Sequence, residues 1–264
     1  MTKRDTRLGL ITEWVGNEGF VSLDALATRL GVSRMTVHRD LDSLHERGVL
    51  RKVRGGASVY RSSQFESDMP VRSRAAIEEK RAIAARAALL ASEGDVVILD
   101  DSTTALQMIP HLTGGVPLTI ITNSIVAMQE IAGSPGSTLI GLGGEYVERY
   151  RSYYGVLCER ALSDLYADVV FMSTSSLKGA TIFHQDQRVV PVKRAMMRAA
   201  QQRVLLMDHT KIGHGALHRM AEVEEFTHVV VDDGIDDEAL SALEDTGATI
   251  IVAPVAEEQA APEE

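Results

Sequence analysis

Apolar residues recur along this chain in two rhythms, helical over residues 1–60 and in short strand-sized runs beyond residue 95. Leu8, Ile11 and Val15 predict an amphipathic helix over residues 7–15, broken by Gly16-Asn17-Glu18-Gly19. Phe20-Val21 has the character of a short strand. Ser22 stands where it can cap a helix over residues 23–30, with Leu23, Leu26, Ala27 and Leu30 on one face and Gly31 as its stop. Ser33 caps a further helix that runs to about Arg47 and ends at Gly48, with Val37, Leu41 and Leu44 as its buried stripe. Residues 49–60 predict two short strands joined by a Gly55-Gly56 turn.

A short helix, a tight turn containing glycine and a second helix have helix–turn–helix spacing, and the hairpin after them reads as a wing. Arg34, Thr36, His38 and Arg39 fall largely off the buried stripe, near the N-terminal end of the second helix. In this motif those positions reach base edges and phosphates. Arginine addresses guanine bidentately, threonine meets a thymine methyl, and histidine donates to base or phosphate. Ser33 and the helix amides suit a phosphate. Asp40 either orients an arginine or favours the helix by its early position. Arg51, Lys52 and Arg54 on the wing suit backbone or minor-groove contact.

Residues 61–74 are Ser-rich and polar with a proline at position 70, and read as a linker that Phe65 anchors. From residue 75 to 254, continuous apolar runs at 96–99, 118–121, 138–142, 169–172, 204–207, 229–231 and 249–252 alternate with helical patterns, among them 75–91, 105–112, 125–132, 156–165, 192–200 and 238–246. Such alternation predicts a largely parallel sheet covered on both faces. The acidic, Ala/Pro-bearing stretch 255–264 reads as a disordered tail.

Charge sharpens this division. Residues 1–60 carry ten Lys or Arg and seven Asp or Glu, a net of +3, which leaves −13 for the remainder of a chain whose net charge is −10. A basic module joined to an acidic domain fits nucleic-acid binding by the first part. The longest apolar runs are strand-sized, so no membrane partner is expected, and residues 1–5 lead into no apolar stretch of a secretion signal. The single cysteine, Cys158, allows no intrachain disulfide, fits a cytoplasmic location and reads as an inert packed thiol. The scattered methionines read as core gap fillers, and Arg149, Arg151 and Arg160 as solvated or interface residues.

Ligands of a parallel α/β sheet bind outside the carboxyl ends of its strands. Those ends carry Asp100-Asp101-Ser102-Thr103-Thr104, Thr122-Asn123-Ser124, Gly143-Gly144, Ser173-Thr174-Ser175-Ser176 and Asp208-His209-Thr210-Lys211. Hydroxyls and helix amides there can cradle a phosphate. No Walker or GxGxxG pattern is present. His209, His214 and His218 with Asp208 lack the helical spacing of a metal site, so no metal and no cofactor is expected.

The run Val32-Ser33-Arg34-Met35-Thr36-Val37-His38-Arg39-Asp40-Leu41, with Leu44, Gly48, Leu50 and Arg54-Gly55-Gly56-Ala57, resembles the DNA-binding domain of the DeoR/GlpR family of bacterial transcriptional regulators. His38 stands where that family has Arg, and Arg54 where it has His. The resemblance extends through Leu99-Asp100-Asp101-Ser102-Thr103-Thr104, Thr122-Asn123-Ser124, Gly143-Gly144, Val192-Lys193-Arg194-Ala195-Met196 and Asp208-His209-Thr210-Lys211. It implies a winged helix–turn–helix followed by a parallel α/β domain of the sugar-phosphate isomerase-like type. It also implies a phosphorylated sugar or related effector held by Asp100, Ser102, Thr103, Thr104, Asn123, Ser124, Gly143, Gly144, Lys193, Asp208 and Lys211. Ser102 replaces a glycine of the family pattern, Val189 a glutamate, and Phe171-Met172-Ser173-Thr174 lacks its glycine-rich sequence. The expected function is a sequence-specific regulator, a repressor of a carbohydrate or related operon. It would act on double-stranded operator DNA as a homodimer or homotetramer. The alternative is an isomerase- or deaminase-like enzyme carrying a DNA-binding module, with Lys193 and Asp100 or Asp208 as acid and base.

Overall fold

The computed structural model describes residues 3–46, 49–58, 69–114 and 117–255. The expected anchor Phe65, residues 61–68 of the expected linker, the helix end at Arg47 and Gly48, and positions 256–264 of the expected tail lie outside the described residues. The chain forms two compact units, Met1–Val71 and Arg72–Glu264.

The first unit holds helix α1 (Lys3–Glu18), strand β1 (Phe20–Ser22), helices α2 (Leu23–Leu30) and α3 (Arg34–Glu46), and strands β2 (Arg51–Val53) and β3 (Gly56–Ser58). Helix α1 continues through Gly16, the expected break, and the chain turns at Gly19 instead, whose amide donates to Val15 O at 3.0 Å. Leu8, Ile11, Val15, Leu26, Val37, Leu41 and Leu44 are buried together, so the helical spacing identified the core of this unit. The wing has three strands in the order β1-β3-β2, all antiparallel. Gly56 lies within β3 and not in the turn. A Cβ there would stand 2.3 Å from Val21 O, so only glycine lets β1 approach.

Helix α4 (Met69–Arg74) occupies positions expected to be linker, and the unit boundary falls within it. The second unit continues with α5 (Ile77–Ala87), β4 (Val96–Leu99), α6 (Thr103–Leu106), α7 (Ile109–Leu112), β5 (Leu118–Thr122), α8 (Ile125–Ile131), β6 (Ser137–Gly141), β7 (Glu145–Val147), β8 (Ser152–Tyr154), α9 (Val156–Ser163) and β9 (Ala167–Met172). There follow β10 (Ser176–Lys178), β11 (Thr181–His184), α10 (Val189–Ala199), β12 (Ala200–Met207), β13 (His218–Glu222), β14 (His228–Asp232), α11 (Asp237–Glu244) and β15 (Thr249–Ala253).

The seven apolar runs of the sequence become the seven strands of one sheet, ordered β15-β14-β12-β9-β4-β5-β6. Every pairing in it is parallel. Ile98, Val170, Met172, Leu205 and Met207 share a core with Cys158 and Leu162 of α9 and Val192, Ala195 and Met196 of α10. The alternate residues Val97, Leu99, Val169, Phe171, Val204 and Leu206 are buried on the opposite face, where α5 and α6 pack. Two antiparallel additions were not foreseen: the β7–β8 hairpin and the three-stranded β10-β11-β13 sheet. Strand order reverses between β4 and β9, and the ligands of parallel α/β sheets bind outside the carboxyl ends of the strands at such a point.

Candidate DNA interface and effector site

Helix α3 presents Met35, His38, Arg39 and Asp42, all exposed and spaced as one helical face, opposite the buried Val37, Leu41 and Leu44. Asp40 is buried on the opposite side of α3, beside Val37 and Leu44. It accepts from Arg7 Nε at 2.5 Å and Arg7 Nη2 at 3.1 Å, and Arg4 Nε lies 3.7 Å away. Of the two roles open to Asp40, it takes the first, with its arginine on α1.

The eight expected DNA residues divide by engagement. Ser33 Oγ accepts from Thr36 N at 3.2 Å and lies 2.9 Å from Thr36 Oγ1, so both hydroxyls serve the helix cap. Replacing Ser33 by alanine is expected to cost the first unit about 1 kcal/mol in denaturant unfolding, the value of a helix cap; no change would show that the cap is idle. Arg34 pairs with Asp24 at 2.7 Å, and Lys52 pairs with Asp42. The side chains of Arg39, Arg51 and Arg54 are exposed and make no ion pair or hydrogen bond among the described residues. Met35, 64% exposed, was missed by the sequence reading. Its spacing from His38 and Arg39 was the available signal, and an apolar side chain there suits a thymine methyl.

In the second unit the loop after β4 meets the loop after β9. Asp100 accepts from Ser102 N at 2.9 Å, Ser102 Oγ at 2.5 Å, Ser173 N at 3.0 Å and the Lys193 ammonium. Lys193 also donates to Ser173 O at 2.9 Å. Three elements far apart in sequence are thus fastened by one buried ion pair. Lys211 donates to Ser173 Oγ at 3.0 Å and stands 3.2 Å from Asp208, to which Thr210 also donates. Burial opposes the charge of Asp208, yet Lys211 and Thr210 hold its carboxyl below the usual range.

Ser102 and Ser124 act as helix caps, accepting from Ala105 N at 3.1 Å and Ala127 N at 3.3 Å. Thr103 Oγ1 donates to Arg72 O at 3.4 Å. Thr104 Oγ1 and Asn123 Oδ1 are buried without a hydrogen-bond partner among the described residues, while Asn123 Nδ2 donates to Tyr153 O at 2.9 Å. Gly144 answers to packing: with φ at 152°, a Cβ would meet Tyr154 O at 2.3 Å. Gly143 has open space around its Cβ position. Asp101, quoted within its loop, and Arg72 were not among the expected effector residues. Asp101 accepts from the Tyr154 hydroxyl at 2.6 Å, and the Arg72 guanidinium lies 5.3 Å from the Tyr150 ring centre.

Cys158 is buried, and burial together with the charges of Asp101 and Glu159 leaves its thiol pushed up to about 12, an inert group at neutral pH. His209 Nδ1 lies 2.5 Å from Asp232 Oδ2. Among the described residues no three His, Cys, Asp or Glu side chains are grouped to hold a metal ion, and no helix is long and apolar enough to cross a membrane.

Lys80 of α5 is buried and donates to Arg72 O and, at 2.5 Å, to Ala75 O. Burial and the nearby Lys211 charge push its ammonium down to about 8 from 10.5. Between those values the unfolded chain binds the extra proton, so this group's contribution raises stability as pH climbs from about 8 to 10.5 and is level below. The melting temperature of wild type relative to Lys80→Met is expected to rise across that window; a constant difference would contradict it.

A winged helix with Arg39, Arg51 and Arg54 exposed, joined to a parallel α/β unit with buried polar residues at the carboxyl ends of its strands, is the architecture of a DNA-binding regulator with a sensor. The DeoR-like helix–turn–helix domain matches residues 7–63, and the DeoR C terminal sensor domain matches residues 75–233, more than half of the chain. The chain belongs to the DeoR family of transcriptional regulators. It is 34% identical to the HTH-type transcriptional regulator YgbI of Escherichia coli (strain K12), over 94% of this chain and 97% of that protein. The transcriptional repressor AccR of Agrobacterium fabrum is 32% identical, over 86% of this chain and 89% of that one. The transcriptional repressor GlcR of Bacillus subtilis is 32% identical, over 87% and 88%. Among solved structures, ribose 5-phosphate isomerase A of Methanocaldococcus jannaschii matches with a TM-score of 0.40 and 16% identity over 52% of this chain and 55% of that one, a likeness at which no residue role transfers. The family and its named members are regulators, and this chain is a regulator, not an enzyme.

Proposed function

We propose that this chain represses a carbohydrate or related catabolic operon and is controlled by a phosphorylated sugar or similar metabolite held in the sensor unit. The observation that carries the effector reading is the set of polar groups at the carboxyl edge of the parallel sheet. Lys211 follows β12, Thr104 stands in the first turn of α6 after β4, and Asn123 follows β5; Thr104 Oγ1 and Asn123 Oδ1 are buried without a hydrogen-bond partner among the described residues. A cation, a hydroxyl and an amide along that one sheet edge suit an anion carrying a polyol. Relatives named as repressors support the direction of control.

On the DNA side, Arg39 and His38 read bases in the major groove, Ser33, Arg34 and Thr36 settle the helix on the backbone, and Arg51, Lys52 and Arg54 of the wing add phosphate or minor-groove contacts. Two copies, or four, place reading helices on half-sites about one DNA turn or a multiple apart. A DNA partner places the protein in the bacterial cytoplasm. Effector binding shifts the population between DNA-competent and incompetent arrangements, which requires different affinities for the two.

Thermal-shift measurements with matched phosphorylated and unphosphorylated sugars test the effector reading. A ligand at about 100 times its Kd stabilises the fold by about 2.7 kcal/mol. Shifts confined to phosphorylated members are expected; equal shifts with the free sugars, or none, would overturn the reading.

A further inference from the structure

The loop after β4 holds a second carboxylate whose hydrogen bonding is incomplete. Asp101 is 3% exposed. Its Oδ2 accepts from the Tyr154 hydroxyl at 2.6 Å. Its Oδ1 is buried and accepts no hydrogen bond among the described residues. The Lys193 ammonium is 3.8 Å from Oδ1 but bonds to Asp100 and Ser173 O instead. Burial opposes ionisation of Asp101, yet Lys193 and the Tyr154 hydroxyl hold its carboxyl below the usual range. Burial and the neighbouring Asp101 push the Tyr154 phenol well above its ordinary value, so its proton stays in place to donate.

We propose that Asp101 is a specificity-determining residue of the sensor site, whose Oδ1 accepts a hydrogen bond from a hydroxyl or ammonium group of the effector. The proposal rests on the effector reading above and names the part of the ligand, other than its phosphate, that is recognised. An ionised carboxylate only accepts. Left buried without a donor, it is costly, and a ligand hydroxyl supplies what the fold does not. The carboxylate beside it is already occupied: Asp100 is met by both donors of Ser102, by Ser173 N and by Lys193. Tyr154 is a positioning residue. By holding Oδ2 it leaves Oδ1 to the ligand. A site built to meet a hydroxyl rejects the analogue that lacks it far more strongly than an apolar pocket rejects an extra methylene.

The test uses the full chain, its Asp101→Asn and Tyr154→Phe variants, and calorimetry with inorganic phosphate, erythrose 4-phosphate, ribose 5-phosphate, 2-deoxyribose 5-phosphate, glucose 6-phosphate, 2-deoxyglucose 6-phosphate and 6-phosphogluconate. Asp101→Asn turns the open acceptor into a donor while Tyr154 still meets the amide oxygen. It is expected to weaken the best-bound sugar phosphate at least tenfold and to leave inorganic phosphate within about twofold. Tyr154→Phe is expected to produce a smaller loss with the same contrast, and decides the matter if Asp101→Asn does not fold. Unchanged sugar-phosphate binding in the variants, or equal weakening of sugar phosphate and inorganic phosphate, would overturn the role of Asp101 alone. No binding of any sugar phosphate by wild type would overturn the effector reading and this proposal with it.

Discussion

Replacing Lys193 by alanine is expected to destabilise the sensor unit by about 3–5 kcal/mol, the range for removing one partner of a buried ion pair. Lys193 and Asp100 are both almost wholly buried, and Asp101 adds a second carboxylate 3.8 Å from the ammonium. Without the lysine, two buried carboxylates lose their cation. The change reaches across α10 and the loops after β4 and β9, because Lys193 also holds Ser173 O. Denaturant unfolding of the full chain measures it. Combining Lys193→Met with Asp100→Asn should recover part of the loss, since the charge that needs neutralising is then reduced. A loss below about 1 kcal/mol for Lys193→Ala would mean that water or backbone donors compensate.

Arg39→Ala is expected to weaken operator binding by about 1–3 kcal/mol, roughly five- to 150-fold in Kd, while affinity for random DNA changes much less. Arg39 is exposed on α3, and no acidic side chain must first release it among the described residues. Arg34 differs, because its pairing with Asp24 competes with a phosphate. An equal loss on operator and random DNA would make Arg39 a backbone contact. Binding of both DNAs should also fall steeply with added salt as phosphate contacts release counterions.

Much of the fold was legible because the chemistry of a parallel sheet is blunt. A strand buried on both faces must be apolar throughout, and each of the seven runs from residues 96–99 to 249–252 met that demand and joined the sheet. Helix α3 was legible for a local reason: Ser33, the Val37-Leu41-Leu44 stripe and the tight turn agree. Failures came where local signals were weak or overridden. Gly16 looked like a break, but tertiary packing of Val15 and the turn at Gly19 carry α1 past it. Strands β7, β8 and β10 have three residues each, too few for an alternating pattern to stand out.

The site was less legible than the fold. Asp100 and Lys193 were both named as effector residues, but sequence could not reveal that they bind each other across 93 positions. Ser102 and Ser124 hold helix turns, a use indistinguishable in sequence from phosphate binding. Asp101 was hidden by its neighbour: in a loop of two aspartates, only the fold determines which is satisfied and which keeps an open oxygen.

In the proposed function, DNA binding by the first unit and effector binding by the second belong to one switch. Footprinting of the DNA flanking the gene with the full chain, repeated with the sugar phosphates above, tests it most directly. Protection of a pair of half-sites about one DNA turn or a multiple apart is expected, lost when a phosphorylated sugar that stabilises the fold is added. Absence of a specific footprint, or a footprint indifferent to every ligand that stabilises the protein, would contradict it.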